Sequence, residues 1–195
     1  MMKLLTVSDR INKSLSQSGA LHPQTFDLIL SCGDLPPEYL AALHHQFQAP
    51  LFYVQGNHDI RHLDPPPGCV NITGRIVTFM NRTFLGFSGS RWYNGNHHQY
   101  HERQMRAGIR QLWFQLWRLK KLDVVVTHAP PRHIHDREDP CHKGFRCYND
   151  LIRKHEPRFF IHGHIHQHFK QAEDRTTMVN NTMVLNAYDY HVLEI

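Results

Sequence analysis

Short, largely apolar runs recur along the chain at residues 3–7, 27–31, 51–54, 123–127 and 159–161, each followed within two residues by Gly, Asp or His. Runs of this length without polar alternation suit strands buried on both faces, as in sheets covered by helices. Helical periods lie between them. Residues 11–21 form a short helix, and Pro36-Pro37 opens another through Tyr39, Leu40, Leu43 and Phe47, with proline at its usual first-turn place. Residues 102–121 form a long helix in which Met105, Ile109, Leu112, Trp113, Leu116, Trp117 and Leu119 recur near 3.6-residue spacing, which predicts an aromatic core face. Residues 147–155 make a further helix. After the turn-rich Asp64-Pro-Pro-Pro-Gly68, three short runs at 69–72, 75–80 and 83–87 are expected to be antiparallel, as are tail segments 176–179, 183–186 and 190–195.

At 195 residues, with 41% hydrophobic and 20% charged content, the chain suits one soluble domain spanning residues 1–195. Its formal charge of +5 favours anionic partners, phosphate esters among them, but no Lys/Arg block marks a nucleic-acid arm. The N-terminal segment is too short for a signal sequence and no run reaches membrane-spanning length, so a cytoplasmic location without membrane contact is expected. Cys32, Cys69, Cys141 and Cys147 contain no C-x-x-C pair and are read as reduced, mostly buried thiols. Cys141 and Cys147 could in principle join a metal site with nearby His, but their spacing fits no zinc module, and that reading is set aside.

The candidate chemistry sits where the apolar runs end. They lead in turn to Asp9, to Gly33-Asp34, to Gly56-Asn57-His58-Asp59, to His128, and to Gly163-His164-Ile165-His166. In extended backbone, residues two apart share a side, so His164 and His166 should project together. Ligands of α/β sheets gather outside the carboxyl ends of strands, so five such clusters are expected to converge. Taken singly, Asp9 or Asp34 could merely cap a helix, and His128 before two prolines could be a rigid loop residue. The donor set of carboxylate, amide oxygen and imidazole suits Mn²⁺, Fe or Zn²⁺. A carboxylate that bridges two such cations helps an in-line displacement, and phosphate ester hydrolysis is the reaction that most needs that help.

Asp9, Gly33-Asp34, Gly56-Asn57-His58-Asp59, His128 and Gly163-His164-Ile165-His166 resemble, in order, the motif series of the calcineurin-like metallophosphoesterases. The resemblance implies a four-layer αββα sandwich and two divalent cations, Mn²⁺, Fe²⁺/Fe³⁺ or Zn²⁺. It implies that Asp34 bridges them, that Asn57, His128 and His164 bind one, and that Asp9 and His166 bind the other. His58 would then act on the leaving oxygen without binding metal, with Asp59 orienting its ring.

The chain departs from the family at the first motif, where the usual Asp-x-His reads Asp9-Arg10-Ile11. Isoleucine cannot coordinate, so the site of Asp9 and His166 should be the weaker, with Asn12 as a substitute ligand at an awkward spacing. Residues 91–100 and 128–145 resemble a bacterial branch of the family; His133, His135 and His142 either line a substrate mouth or are ordinary loop histidines. Gly95-Asn96-His97 imitates a motif but follows no buried strand and is read as coincidence. The implied activity is hydrolysis of a small phosphate ester. A non-catalytic scaffold on the same fold is the alternative, and a nuclease is less favoured.

Overall fold

The computed structural model describes residues 1–16, 25–60 and 65–195. Two sheets are packed face to face. The first has the order β13-β1-β2-β3-β4, built from β1 (Lys3–Ser8), β2 (Leu28–Ser31), β3 (Leu51–Tyr53), β4 (Cys69–Asn71) and β13 (Asp189–Glu194). The second has the order β11-β12-β10-β9-β6-β5, built from β5 (Ile76–Phe79), β6 (Arg82–Phe87), β9 (Val124–Thr127), β10 (Phe159–His162), β11 (Thr176–Val179) and β12 (Thr182–Asn186). A small pair, β7 (Ser90–Arg91) and β8 (Gln99–Tyr100), stands apart.

Residue alternation explains why the strand sequences are apolar throughout. Leu4, Leu28, Leu30, Phe52, Val124, Val126, Phe159 and Ile161 point between the sheets into one core. Their neighbours point outward under helices. Leu5, Val7, Ile29 and Leu51 pack with Leu15, Tyr39, Leu40 and Leu43, which lie on α1 (Lys13–Ser16) and α2 (Pro37–Phe47). Val125, Phe160 and Val184 pack with Met105, Leu116, Tyr148 and Leu151, carried by α3 (Glu102–Gln111), α4 (Trp113–Arg118) and α5 (Arg146–His155). Every central strand therefore buries both faces, and the layers run α/β/β/α.

Three expectations are corrected. The helix over 102–121 is interrupted at Leu112, where φ is −92° and ψ is 4°. Met105, Leu112 and Leu116 suffice for its buried stripe, whereas Trp113 and Trp117, each one position further round, are 64% and 74% exposed. Of the three short runs after residue 68, only β5 and β6 pair antiparallel; β4 joins β3 in parallel, with Leu51 opposite Cys69. The tail also divides. β12 pairs antiparallel with β11 but parallel with β10, and β13 crosses to the other sheet to pair antiparallel with β1. The helix expected over 11–21 begins at Lys13 as α1; residues 17–21, like the Asp64 end of the proline-rich turn, lie outside the described residues. No helix among the described residues is long and apolar enough to cross a membrane.

Candidate metal centre

The central strands β1, β2, β9 and β10 run parallel within their sheets, so their carboxyl ends and that of β3 open on one side. There Asp34, His128 and His164 bring one ligand atom each to within 4.8 Å of one another. Asn57 completes the set, with its Oδ1 3.0 Å from His128 Nε2, while Asp34 Oδ2 lies 3.3 Å from the same nitrogen. The supporting contacts fix which atoms face inward. His128 Nδ1 donates to the Cys32 carbonyl at 2.7 Å, which leaves Nε2 as the nitrogen that faces the cluster. Asn57 Nδ2 donates to the Tyr93 hydroxyl at 3.1 Å, which turns Oδ1 inward.

Backbone conformations at the site are unusual. Asp9, Asp34 and His164 take φ of 64°, 56° and 66°, a region that costs L residues on the order of 1–2 kcal/mol each. Each strained amide is tied down: Asp9 N to the Gly33 carbonyl at 3.2 Å, Asp34 N to Asp59 Oδ2 at 2.9 Å, and His164 N to Asp9 Oδ2 at 2.9 Å. The motif glycines follow from close approach. A Cβ on Gly56 would meet Asp34 Oδ1 at 2.0 Å, and one on Gly163 would meet Ser8 Oγ at 1.9 Å.

The electrostatics match a cation site. Burial works against charge on Asp34, yet the His128 ring and the His58 amide hold its carboxyl well below the usual carboxylate range. Burial likewise opposes protonation of His128, but Asp34 outweighs it and carries the ring up to about 9. Positive charge is thus favoured between these two groups, as a proton or as a cation that replaces it. Burial and the nearby His128 push His164 down, so it stays a neutral lone-pair donor.

Asp9 and His166 are brought together as a pair, with Oδ1 and Nε2 3.2 Å apart and the His166 ring stacked on Tyr188. His164 and His166 do not aim at one point. The chain leaves extended conformation at His164, so His164 joins Asp34 while His166 joins Asp9. Asn12 is not available as a replacement ligand: its Oδ1 caps Ser14 N at 3.0 Å and its Nδ2 bonds Asp189 at 2.9 Å. Ile11 is half exposed and so is not held in the core.

His58 is exposed beside the cluster, at a cleft of about 190 Å³ that it lines with Asp34, Asp59 and Gln55. Its amide donates to Asp34 Oδ1 at 2.8 Å. Asp59 Oδ2 accepts from the amides of Gly56 and Asp34, at 2.8 and 2.9 Å, and so braces the two loops against each other. Of the loop histidines, His133 is exposed, His135 Nδ1 lies 2.8 Å from His162 Nε2, and only His142 reaches the cluster, its ring centroid 5.2 Å from that of His164. Gly95-Asn96-His97 lies in the turn between β7 and β8. Sequence reasoning missed Tyr93, for which no spacing signal exists, and dismissed Cys141, which the fold carries to His142 and His164.

Two mixed sheets flanked by helices, with carboxylate, amide and imidazole donors gathered at their strand ends, define an α/β sandwich with a candidate metal centre. The model of the calcineurin-like phosphoesterase superfamily domain matches residues 2–186, and the chain belongs to that superfamily. Metal-dependent phosphoester hydrolysis is the superfamily's general chemistry. A search of the curated proteins finds no match. Among solved structures, TT1561 of Thermus thermophilus is similar, with a TM-score of 0.67 at 15% identity over 96% of this chain and 89% of that one. GAP50, described as the anchor in the inner membrane complex of Plasmodium, aligns with a TM-score of 0.57 at 14% identity, over 95% of this chain and 70% of its own. A single mutant of Vps29 from Entamoeba histolytica aligns with a TM-score of 0.51 at 14% identity, over 100% and 86%. At these identities the likeness is one of fold.

Proposed function

We propose that the chain is a single-domain hydrolase of small phosphate mono- or diesters that works with two divalent cations. The observation that carries this is the convergence of Asp34, Asn57, His128 and His164 from separate strand ends, with Asn57 Oδ1 and His128 Nε2 turned inward by the Tyr93 hydroxyl and the Cys32 carbonyl. These four would hold the tighter cation. Asp9 and His166, with Asp34 shared, would hold the weaker one, because Ile11 stands where a further imidazole is usual. Cations bound there supply Lewis acidity that activates water and offsets charge on the phosphoryl group. His58 serves as the acid toward the leaving oxygen, from an exposed position beside Asp34 that needs no metal bond. Asp59 keeps the Asp34 and Gly56 backbones in register, so that carboxylate and imidazole meet the substrate together.

The second candidate is a scaffold without turnover, favoured by Ile11, which leaves His166 as the imidazole paired with Asp9. A fold neighbour described as an anchor is in keeping with it. Hydrolysis of bis(p-nitrophenyl) phosphate and p-nitrophenyl phosphate, with Mn²⁺, Fe²⁺ or Zn²⁺ added, separates the two. Turnover that depends on added metal and is lost in Asp34→Asn is expected. Metal binding without hydrolysis of either ester would favour the scaffold.

A further inference from the structure

A second donor set meets the first from the loop between β9 and α5. Cys141, His142 and His164 each offer one ligand atom, and these lie within 4.8 Å of one another. The contacts around them are those of a built site. His142 Nδ1 lies 2.9 and 3.0 Å from the two oxygens of Asp139, and the His142 amide donates to the same carboxylate at 3.1 Å. A carboxylate that takes one ring N–H leaves the other nitrogen with its lone pair outward, which is how metal-bound histidines are oriented. Cys141 is the one cysteine of the four that is not buried. Tyr93 stands beside this thiol, and its hydroxyl receives Asn57 Nδ2 at 3.1 Å, so one phenol lies between the cysteine loop and the Asn57 loop.

The two sets differ in chemistry and share one member. Thiolate with two imidazoles, and a fourth position open, suits Zn²⁺; carboxylate and amide oxygens with imidazoles suit Mn²⁺. A neutral imidazole has a single lone pair, so His164 serves one cation at a time. We infer that Cys141, His142 and His164 form a zinc-preferring site that competes with the Asp34 centre for His164, so that the cation supplied decides which centre fills. Asp139 is its positioning residue. The inference concerns binding alone and stands whether or not the chain hydrolyses phosphate esters.

The test uses the full chain with single metals. Co²⁺, a spectroscopic stand-in for Zn²⁺, should give a thiolate-to-metal charge-transfer band that disappears in Cys141→Ser and in His142→Ala. Cys141→Ser should weaken Zn²⁺ binding by about 100-fold or more and leave Mn²⁺ binding unchanged; Asp139→Asn should weaken Zn²⁺ by about 10–100-fold. In the unsubstituted protein, Zn²⁺ but not Mn²⁺ should protect Cys141 from alkylation, read by mass spectrometry of its peptide, which needs no variant to fold. A cobalt complex without the band, equal zinc affinity in Cys141→Ser, or unprotected alkylation in saturating Zn²⁺ would overturn the inference.

Discussion

Gly56→Ala is the most informative single substitution, because it adds one methyl group to the centre of the Asp34 site. The new Cβ would stand 2.0 Å from Asp34 Oδ1 and 2.7 Å from His128 Cε1, where ordinary contact begins at 3.4 Å. Neither neighbour has room to yield. Asp34 is held by the His58 amide at 2.8 Å, by His128 Nε2 at 3.3 Å and through its own amide by Asp59, while His128 is anchored to the Cys32 carbonyl. Overpacking of this kind costs about 1–3 kcal/mol, or roughly 2–12 °C of melting temperature for a chain of this size. The functional loss should be larger in proportion. Restoring contact distance displaces a ligand by on the order of 1 Å, which is worth about 10²-fold in rate. Metal titration by calorimetry, turnover of a chromogenic diester and a melting curve read the three effects together. Gly108→Ala in α3 is the control: nothing lies within 4 Å of its added Cβ, so it should stabilise by about 0.5–1 kcal/mol and leave metal binding alone. Unchanged metal affinity and turnover in Gly56→Ala would refute the assignment of Asp34 and His128 to one site.

Two further outcomes are expected. His58→Ala should lower turnover by about 10²–10⁴-fold with bound metal unchanged, and loss of metal by elemental analysis would show that His58 is a ligand instead. His191, on β13, is pushed down to about 4 by burial and by the Arg175 charge, so folding disfavours its protonated form. Stability should therefore be full above about pH 6.5 and fall as pH drops from there toward 4, by about 1–2 kcal/mol after solvent screening. His191→Gln should flatten that part of the urea-midpoint profile, and an identical profile would show that other groups govern it.

Much of the fold was legible because its signals are local. Strands that bury both faces are largely apolar and lack a polar alternation, so residues 3–7, 27–31 and 123–127 announce central strands without reference to anything else. The polar clusters that follow them are legible for a related reason. Asp9, Asp34 and the Asn57-His58 pair sit just past strand ends, the last two beside glycines whose missing Cβ admits a neighbour, and that combination has little use in packing. Which face of residues 102–118 is buried was not legible, since Leu112 and Trp113 are equally apolar and only the sheet beneath selects Leu112. Nor was the parallel pairing of β4, which is settled by its neighbour β3. The same limit applies at the site. Asn57 meets Tyr93 across 36 positions, His164 meets the Cys141 carbonyl across 23, and Asp9 meets the His164 amide across 155. Residue type and local backbone are written in the chain itself, whereas contacts between distant loops arise only when the two sheets pack and bring those loops to one edge.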